Sequence, residues 1–185
     1  MDLENTAPPV AGPAAGEKLT PVMVYTLNTL IWGDLYTKEA IRVSVWLRTA
    51  MAPQYIGLHN AQVITLGGSG SIKPFGYDEL YIPTLQVIAF HIKPPDREPL
   101  DYDENEPNRK MEPITALVGS FRFDGTVRMS NQTNLGRYLD VTSENYTMIY
   151  DVAISQPAIP AMGVIRVPMA LAKRDVVAFA RRIPS

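Results

Sequence analysis

Apolar and polar positions alternate along much of this chain, which is the pattern of half-buried β-strands. In the segment 40–47, Ile41, Val43, Val45 and Leu47 fall on one side of an extended backbone. Helical periodicity is limited to single turns near 34–40 and 171–175. Runs rich in β-branched and aromatic residues recur at 22–32, 55–66, 80–92, 114–129, 146–154, 162–169 and 175–180. The pattern predicts an all-β fold.

Two proline-rich segments divide the chain. Residues 1–20 are rich in alanine, glycine and proline without periodicity, and we expect a disordered tail there. Residues 93–113 contain five prolines among acidic side chains, which is typical of a linker, because proline removes backbone donors and like charges repel. The predicted folded units are therefore 21–92 and 114–185.

The two predicted units share anchors in the same order. Tyr55–Val63 resembles Tyr146–Ile154 in its aromatic start and apolar alternation, and Val87–Phe90 resembles Val176–Phe179. Gly33 and Gly125 precede the two tyrosines at nearly equal distances. These anchors predict a tandem duplication. Because about five short strands bury their edges by closing on themselves, we expect two tandem small β-barrels of five strands each.

The segments Ile41–Leu47, Tyr55–Val63 and Val87–Phe90 resemble an uncharacterised family of small bacterial domains. The resemblance covers most of 22–92 and, more loosely, 114–182. The order of glycine turn and strands also resembles Sm-like and SH3-like barrels. The resemblance implies a small β-barrel in each unit and no particular functional residue.

Composition and charge exclude several classes of protein. The chain has no cysteine, so disulfides, cysteine-ligated metals and thiol nucleophiles are excluded. The first residues lack a signal-peptide pattern, and no apolar run is long enough for a membrane span. We therefore expect a bacterial cytoplasmic protein. The net charge is −2. Residues 114–185 carry eight bases against five acids, a mildly basic balance.

The motifs of catalysis and metal binding are missing from the sequence. His59 and His91 are the only histidines, and neither has a second ligand at a metal-type spacing. No serine elbow is found, and the Gly68–Ser71 string reads as a hairpin loop rather than a phosphate cradle. We therefore predict no enzyme activity, no cofactor and no metal.

One polar loop raises a nucleotide-binding alternative. Residues 131–136, with Asn131, Thr133 and Gly136, are similar to the motif with which PilZ domains bind cyclic di-GMP on a small barrel. Thr133 replaces the serine of that motif, and the arginine pair upstream has a different spacing. Arg128 and Arg137, with Tyr138, Tyr146 and Tyr150 for base stacking, alternatively predict RNA contacts.

Aromatic residues of the first unit favour a protein partner. Trp46 alternates with Val45 and Leu47 and is expected to face away from the core, near Trp32 and Tyr55. Surface tryptophan and tyrosine are typical interface anchors; packing between the two units is the other interpretation. The sequence thus predicts a non-enzymatic interaction or scaffold module whose partner is another protein or a second copy of the chain. RNA or a cyclic dinucleotide is the alternative ligand.

Overall fold

The computed structural model describes residues 14–49, 52–67 and 73–181, and these form an antiparallel β-fold with two short helices. The helices are α1 (Val43–Trp46) and α2 (Leu135–Val141), with single 3-10 turns at Thr84–Gln86 and Pro160–Met162. The strands are β1 (Glu17–Tyr25), β2 (Thr29–Lys38), β3 (Tyr55–Thr65), β4 (Phe75–Pro83), β5 (Ala89–Ile92), β6 (Arg109–Val118), β7 (Phe121–Ser130), β8 (Tyr146–Ser155), β9 (Ile165–Lys173) and β10 (Ala178–Arg181).

All ten strands belong to one sheet, in the order β10-β6-β7-β8-β9-β5-β1-β2-β3-β4. The all-β prediction is therefore confirmed. The prediction of two closed barrels is not confirmed, because the sheet is open and continuous. The two halves meet where β5 pairs with β9. Sequence pattern reveals which residues are apolar but not which strand lies beside which.

Local predictions failed at three places. Residues 43–46 form α1 instead of a strand, because the Glu98 carboxylate accepts hydrogen bonds from the Val43 and Ser44 amides at the helix start. Strand β1 begins at Glu17, inside the predicted tail, and β6 begins at Arg109, inside the predicted linker. Residues 1–13 lie outside the described residues.

The two halves have the same internal strand order and the same pairing register. Each contains a four-stranded antiparallel meander whose first strand also pairs with the fifth, β1 with β5 and β6 with β10. Tyr55 lies opposite Pro83, and Tyr146 opposite Lys173, at the start of the third strand. The correspondence thus runs strand by strand, from β1–β5 to β6–β10.

Both halves also carry the same bulge between their second and third strands. The register shifts at Gly33 in β2 and at Gly125 in β7. Facing them, Asn60 and Asp151 have positive φ angles of 49° and 50°. A Cβ on Gly125 would lie 2.6 Å from the Tyr150 carbonyl oxygen, so the backbones approach too closely for any other residue. Gly125 therefore marks a bulge inside β7.

Two hydrophobic cores draw on both halves of the chain. Along β1, Val22 and Val24 face one core while Met23 and Tyr25 face the other. The Tyr25 ring lies edge-on to Phe121 and Phe123 of β7, with centroids 4.9 and 5.0 Å apart. Because strand side chains alternate, a strand buried on both faces reads as a continuous apolar run. The halves are thus packed together through β1, β5, β8 and β9.

Candidate interaction surface

Exposed aromatic side chains concentrate on β4 and the positions next to it. Large apolar residues with high exposure, here called the β4 surface, are Tyr55, Phe75, Tyr77, Tyr81 and Leu85. Every residue from Phe75 to Glu79 is exposed. In β9, the strand of the second half that corresponds to β4, the residues from Met169 to Ala172 are all buried. Aromatic side chains on an exposed strand are typical of a protein interface.

The ladder between β3 and β4 places Tyr55 and Tyr81 on the same face. Tyr81 lies opposite Gly57, two residues from Tyr55, and the two tyrosines are 62% and 52% exposed. A Cβ on Gly57 would lie 3.2 Å from the Tyr81 ring, so the glycine leaves room for that ring next to β3. This produces a broad aromatic surface on a regular strand pair.

Tyr81 is held in place by Glu79. The Tyr81 hydroxyl donates to Glu79 Oε2 at 2.8 Å. This hydrogen bond and the carboxylate charge raise the pKa of Tyr81 above its ordinary value, because both disfavour the phenolate. On the neighbouring strand, His59 Nδ1 lies 3.7 Å from Glu79 Oε1. The surface therefore combines aromatic area with one acidic group.

Strand β4 is also an edge of the sheet. Within the described part of the chain it pairs with β3 alone, and β10 at the other end pairs with β6 alone. An edge strand presents backbone N–H and C=O groups that a further strand is able to pair with. Proteins commonly place charged side chains on edge strands to prevent pairing with another chain, whereas β4 exposes aromatic ones.

The predicted interface residues do not form one surface. Tyr55 is exposed, as expected. Trp46 lies on α1 and is half-buried against the core that contains Leu35 and Val43. Trp32 is half-buried against the other core and lines an apolar cavity of about 300 Å³. The alternation that placed Trp46 outward assumed a strand, and the helix turns the side chain differently.

The predicted nucleotide loop is occupied by the start of α2. Asn131, Gly136 and Arg137 are exposed and Thr133 is half-buried. The Asn134 side chain accepts from the Arg137 amide at 2.9 Å, an ordinary N-cap contact. The polar residues that suggested a nucleotide motif thus also account for the beginning of a seven-residue helix.

Arg128 is engaged inside the protein. Its guanidinium donates to Glu106 Oε2 at 2.6 Å and to the Asp103 carbonyl at 2.9 Å. It also lies 4.8 Å from the centre of the Tyr102 ring. Hydrogen bonds from Arg109 and Arg128 lower the pKa of Glu106, so the pairing is with an ionised carboxylate. Arg128 therefore fastens the segment 101–106 to β7.

The tyrosines considered for base stacking are largely enclosed. Tyr146 and Tyr150 are buried, and Tyr138 is half-buried. The Tyr150 hydroxyl donates to Asp101 Oδ1 at 2.9 Å, and burial strongly raises the pKa of Tyr150. All three line a polar cleft of about 310 Å³ beneath the segment 101–102. Tyr146 and Tyr150 therefore lack the exposed ring faces on which bases stack.

His91 is buried in a defined tautomer. A carbonyl only accepts, so His91 Nδ1 donates to the Ile92 oxygen at 2.8 Å, and Nε2 accepts from the Tyr25 hydroxyl at 3.0 Å. Burial lowers the pKa of His91 to about 4. Among residues 14–49, 52–67 and 73–181, no three histidine or carboxylate side chains gather as metal ligands, and no helix is long and apolar enough to span a membrane.

Comparison with protein-family models, with curated proteins and with solved structures finds no match to this chain.

Phe75, Tyr77 and Tyr81 were missed by the sequence analysis as interface residues. Their spacing of two or four residues along 75–81 is a strand signal in its own right. The predicted strand began only at residue 80. That these rings are exposed, however, depends on β4 being at the sheet edge, which the pattern does not reveal.

Proposed function

We propose that this chain is a non-enzymatic protein-interaction or scaffold module, and that the β4 surface is where it binds its partner. The observation that carries the proposal is the exposure of Tyr55, Tyr77 and Tyr81 beside the outer edge of β4, which pairs with β3 alone among the described strands. Tyrosine is enriched among the residues that dominate binding energy, because it buries a large area at low entropic cost.

We also infer that the chain is a tandem duplication of one five-stranded unit. The shared strand order, the shared register and the bulges at Gly33 and Gly125 support this inference. If so, the two halves have diverged in their outer faces. The second half uses its β8–β9 face to pack on the first half, which leaves the corresponding face on β3–β4 for a partner.

RNA or a cyclic dinucleotide, as the alternative ligand, has weaker support. A phosphate-binding arginine has to be free to contact the ligand, whereas Arg128 is engaged by Glu106 and Asp103. Arg122 pairs with Asp124 and Arg181 with Glu112 in the same half. Such contacts place carboxylates beside these arginines and reduce the positive charge on which the alternative depends.

Affinity capture from native cells tests the proposal. The tagged wild type is compared with a Tyr55→Ser/Tyr81→Ser variant and with Val141→Ser, which removes an exposed apolar side chain away from the β4 surface, at the end of α2. Each capture is run with and without nuclease. We expect the wild type to capture a defined set of proteins that stays bound after nuclease treatment and in about 0.5 M salt, where phosphate contacts weaken strongly. We expect only the double variant to lose these proteins.

Two results would contradict the proposal. One is an unchanged set of proteins on the double variant. The other is loss of the captured proteins on nuclease treatment, which would favour the nucleic-acid alternative. Unchanged circular dichroism spectra and unfolding temperatures establish that the variants are folded.

A further inference from the structure

The junction between the two halves is itself a strand-edge contact. β5 pairs with β9 in antiparallel register, with Ala89 opposite Ala172 and Phe90 opposite Leu171. The Lys173 amide donates to the Ile88 carbonyl at 2.7 Å and extends the ladder. The fifth strand of one half thus joins the fourth strand of the other, and the sheet continues across the junction.

Within the described parts of the chain, the same two kinds of strand form the two ends of the sheet. β4 corresponds to β9 as the fourth strand of its half, and β10 corresponds to β5 as the fifth. By the registers of the two halves, Tyr81 corresponds to Leu171, and Phe179 to Phe90. Each free edge is therefore built like one side of an interface that already exists inside the chain.

The apolar side chains next to these edges are exposed at positions where the β5–β9 junction buries their counterparts. Tyr55 and Tyr81 are exposed, whereas their counterparts Tyr146 and Leu171 are buried at the junction. On the β10 side, Leu117 of β6 is 50% exposed, whereas its counterpart Tyr25 is fully buried against the other half. Large apolar residues are thus left uncovered at both ends of the sheet, at the positions that the junction covers.

We propose that β10 of one copy of this chain pairs with β4 of a second copy, in the register of the β5–β9 junction. This rests on the proposed function, since it names the partner of the β4 surface. Ala178 then lies opposite Ile82, and Phe179 opposite Tyr81. Continued for two residues, the register places Arg181 opposite Glu79. In the single chain Arg181 contacts Glu112 and Glu79 accepts from Tyr81, but their side chains are still 74% and 48% exposed. Their charges are opposite, so the two are able to pair across the copies.

One difference makes this contact weaker than the internal β5–β9 junction. Pro83 stands where β9 has Lys173, and proline has no N–H to donate. The ladder between copies therefore has one hydrogen bond fewer. Because each copy uses two different edges, the contact is head-to-tail, and further copies add to the free ends as a ring or a filament. Self-association is expected to rise with protein concentration.

Cysteine cross-linking tests the register directly, because the chain has no cysteine of its own. Glu79→Cys and Arg181→Cys are made in separate proteins, mixed and oxidised. We expect a disulfide-linked dimer from the mixture and much less from either protein alone. Asp78→Cys mixed with Arg181→Cys is the matched control, because adjacent strand residues point to opposite faces. Equal yields from Asp78→Cys and Glu79→Cys would overturn the register.

Sedimentation velocity of the cysteine-free protein tests the association itself. Arg181→Glu is expected to weaken self-association by about tenfold, and Glu79→Arg in the same chain to restore it. A wild type that stays monomeric at every concentration, or an Arg181→Glu protein that associates as well as the wild type, refutes the proposal. If the wild type is monomeric, and the Tyr55→Ser/Tyr81→Ser variant fails to capture proteins that the wild type captures, self-pairing fails while the proposed function stands.

Discussion

The stability of this protein is expected to fall as the pH drops from 6.5 to about 4 because of His91. The ring is 1% exposed and sits where the two halves meet, between the Tyr25 hydroxyl and the Ile92 carbonyl. Both of its nitrogens are used by the neutral form. A second proton on Nε2 would face the Tyr25 hydroxyl, which donates to that nitrogen now.

The magnitude follows from the difference between the folded and unfolded pKa. Burial lowers the pKa of His91 from 6.5 to about 4, so the unfolded chain binds a proton in a range where the folded chain does not. Above pH 6.5 neither state binds it, and the folded state keeps its full stability. Linkage then costs about 2 kcal/mol at pH 5 and about 3 kcal/mol at pH 4.

Urea unfolding between pH 7.5 and pH 4 measures this loss, with His91→Gln as the comparison. The glutamine keeps a polar side chain that does not titrate, and every other titratable group is common to the two proteins. The free energy of unfolding of the wild type should fall toward that of the variant by about 2 kcal/mol at pH 5. Parallel pH profiles of the two proteins would refute the reasoning, since they would mean that His91 titrates alike in both states.

Two further predictions concern the backbone. Gly125→Ala is expected to lower the free energy of unfolding by about 1–3 kcal/mol, because the added Cβ would lie 2.6 Å from a carbonyl oxygen of β8. The control is Gly136→Ala, where the nearest atom to the added Cβ is 3.6 Å away. In the same urea titration this variant should be neutral or stabilising. Glu98→Ala should cost about 1–3 kcal/mol, because three hydrogen bonds from the start of α1 are lost, and hydrogen exchange at the Val43 amide should rise. Unchanged exchange there would contradict the role of Glu98.

The sequence by itself determined the class of fold and indicated positions at which the two halves correspond. Alternating apolar positions, with few helical runs, are sufficient for an all-β prediction, because strand periodicity depends only on local geometry. Gly33 and Gly125 are matching anchors in the sequence, and the structure shows the local reason, since both stand at the same bulge between second and third strands.

Tertiary contacts decided what the pattern does not encode. Val43 and Val45 alternate like strand residues, yet they lie in a helix whose start is capped by Glu98, a residue distant in sequence. Strand order decides the rest, because it is set by pairing between segments far apart. Tyr146 and Tyr55 read alike in the sequence, but β8–β9 is covered by the other half while β3–β4 lies at the edge. Burial of one tyrosine and exposure of the other follow from that position alone.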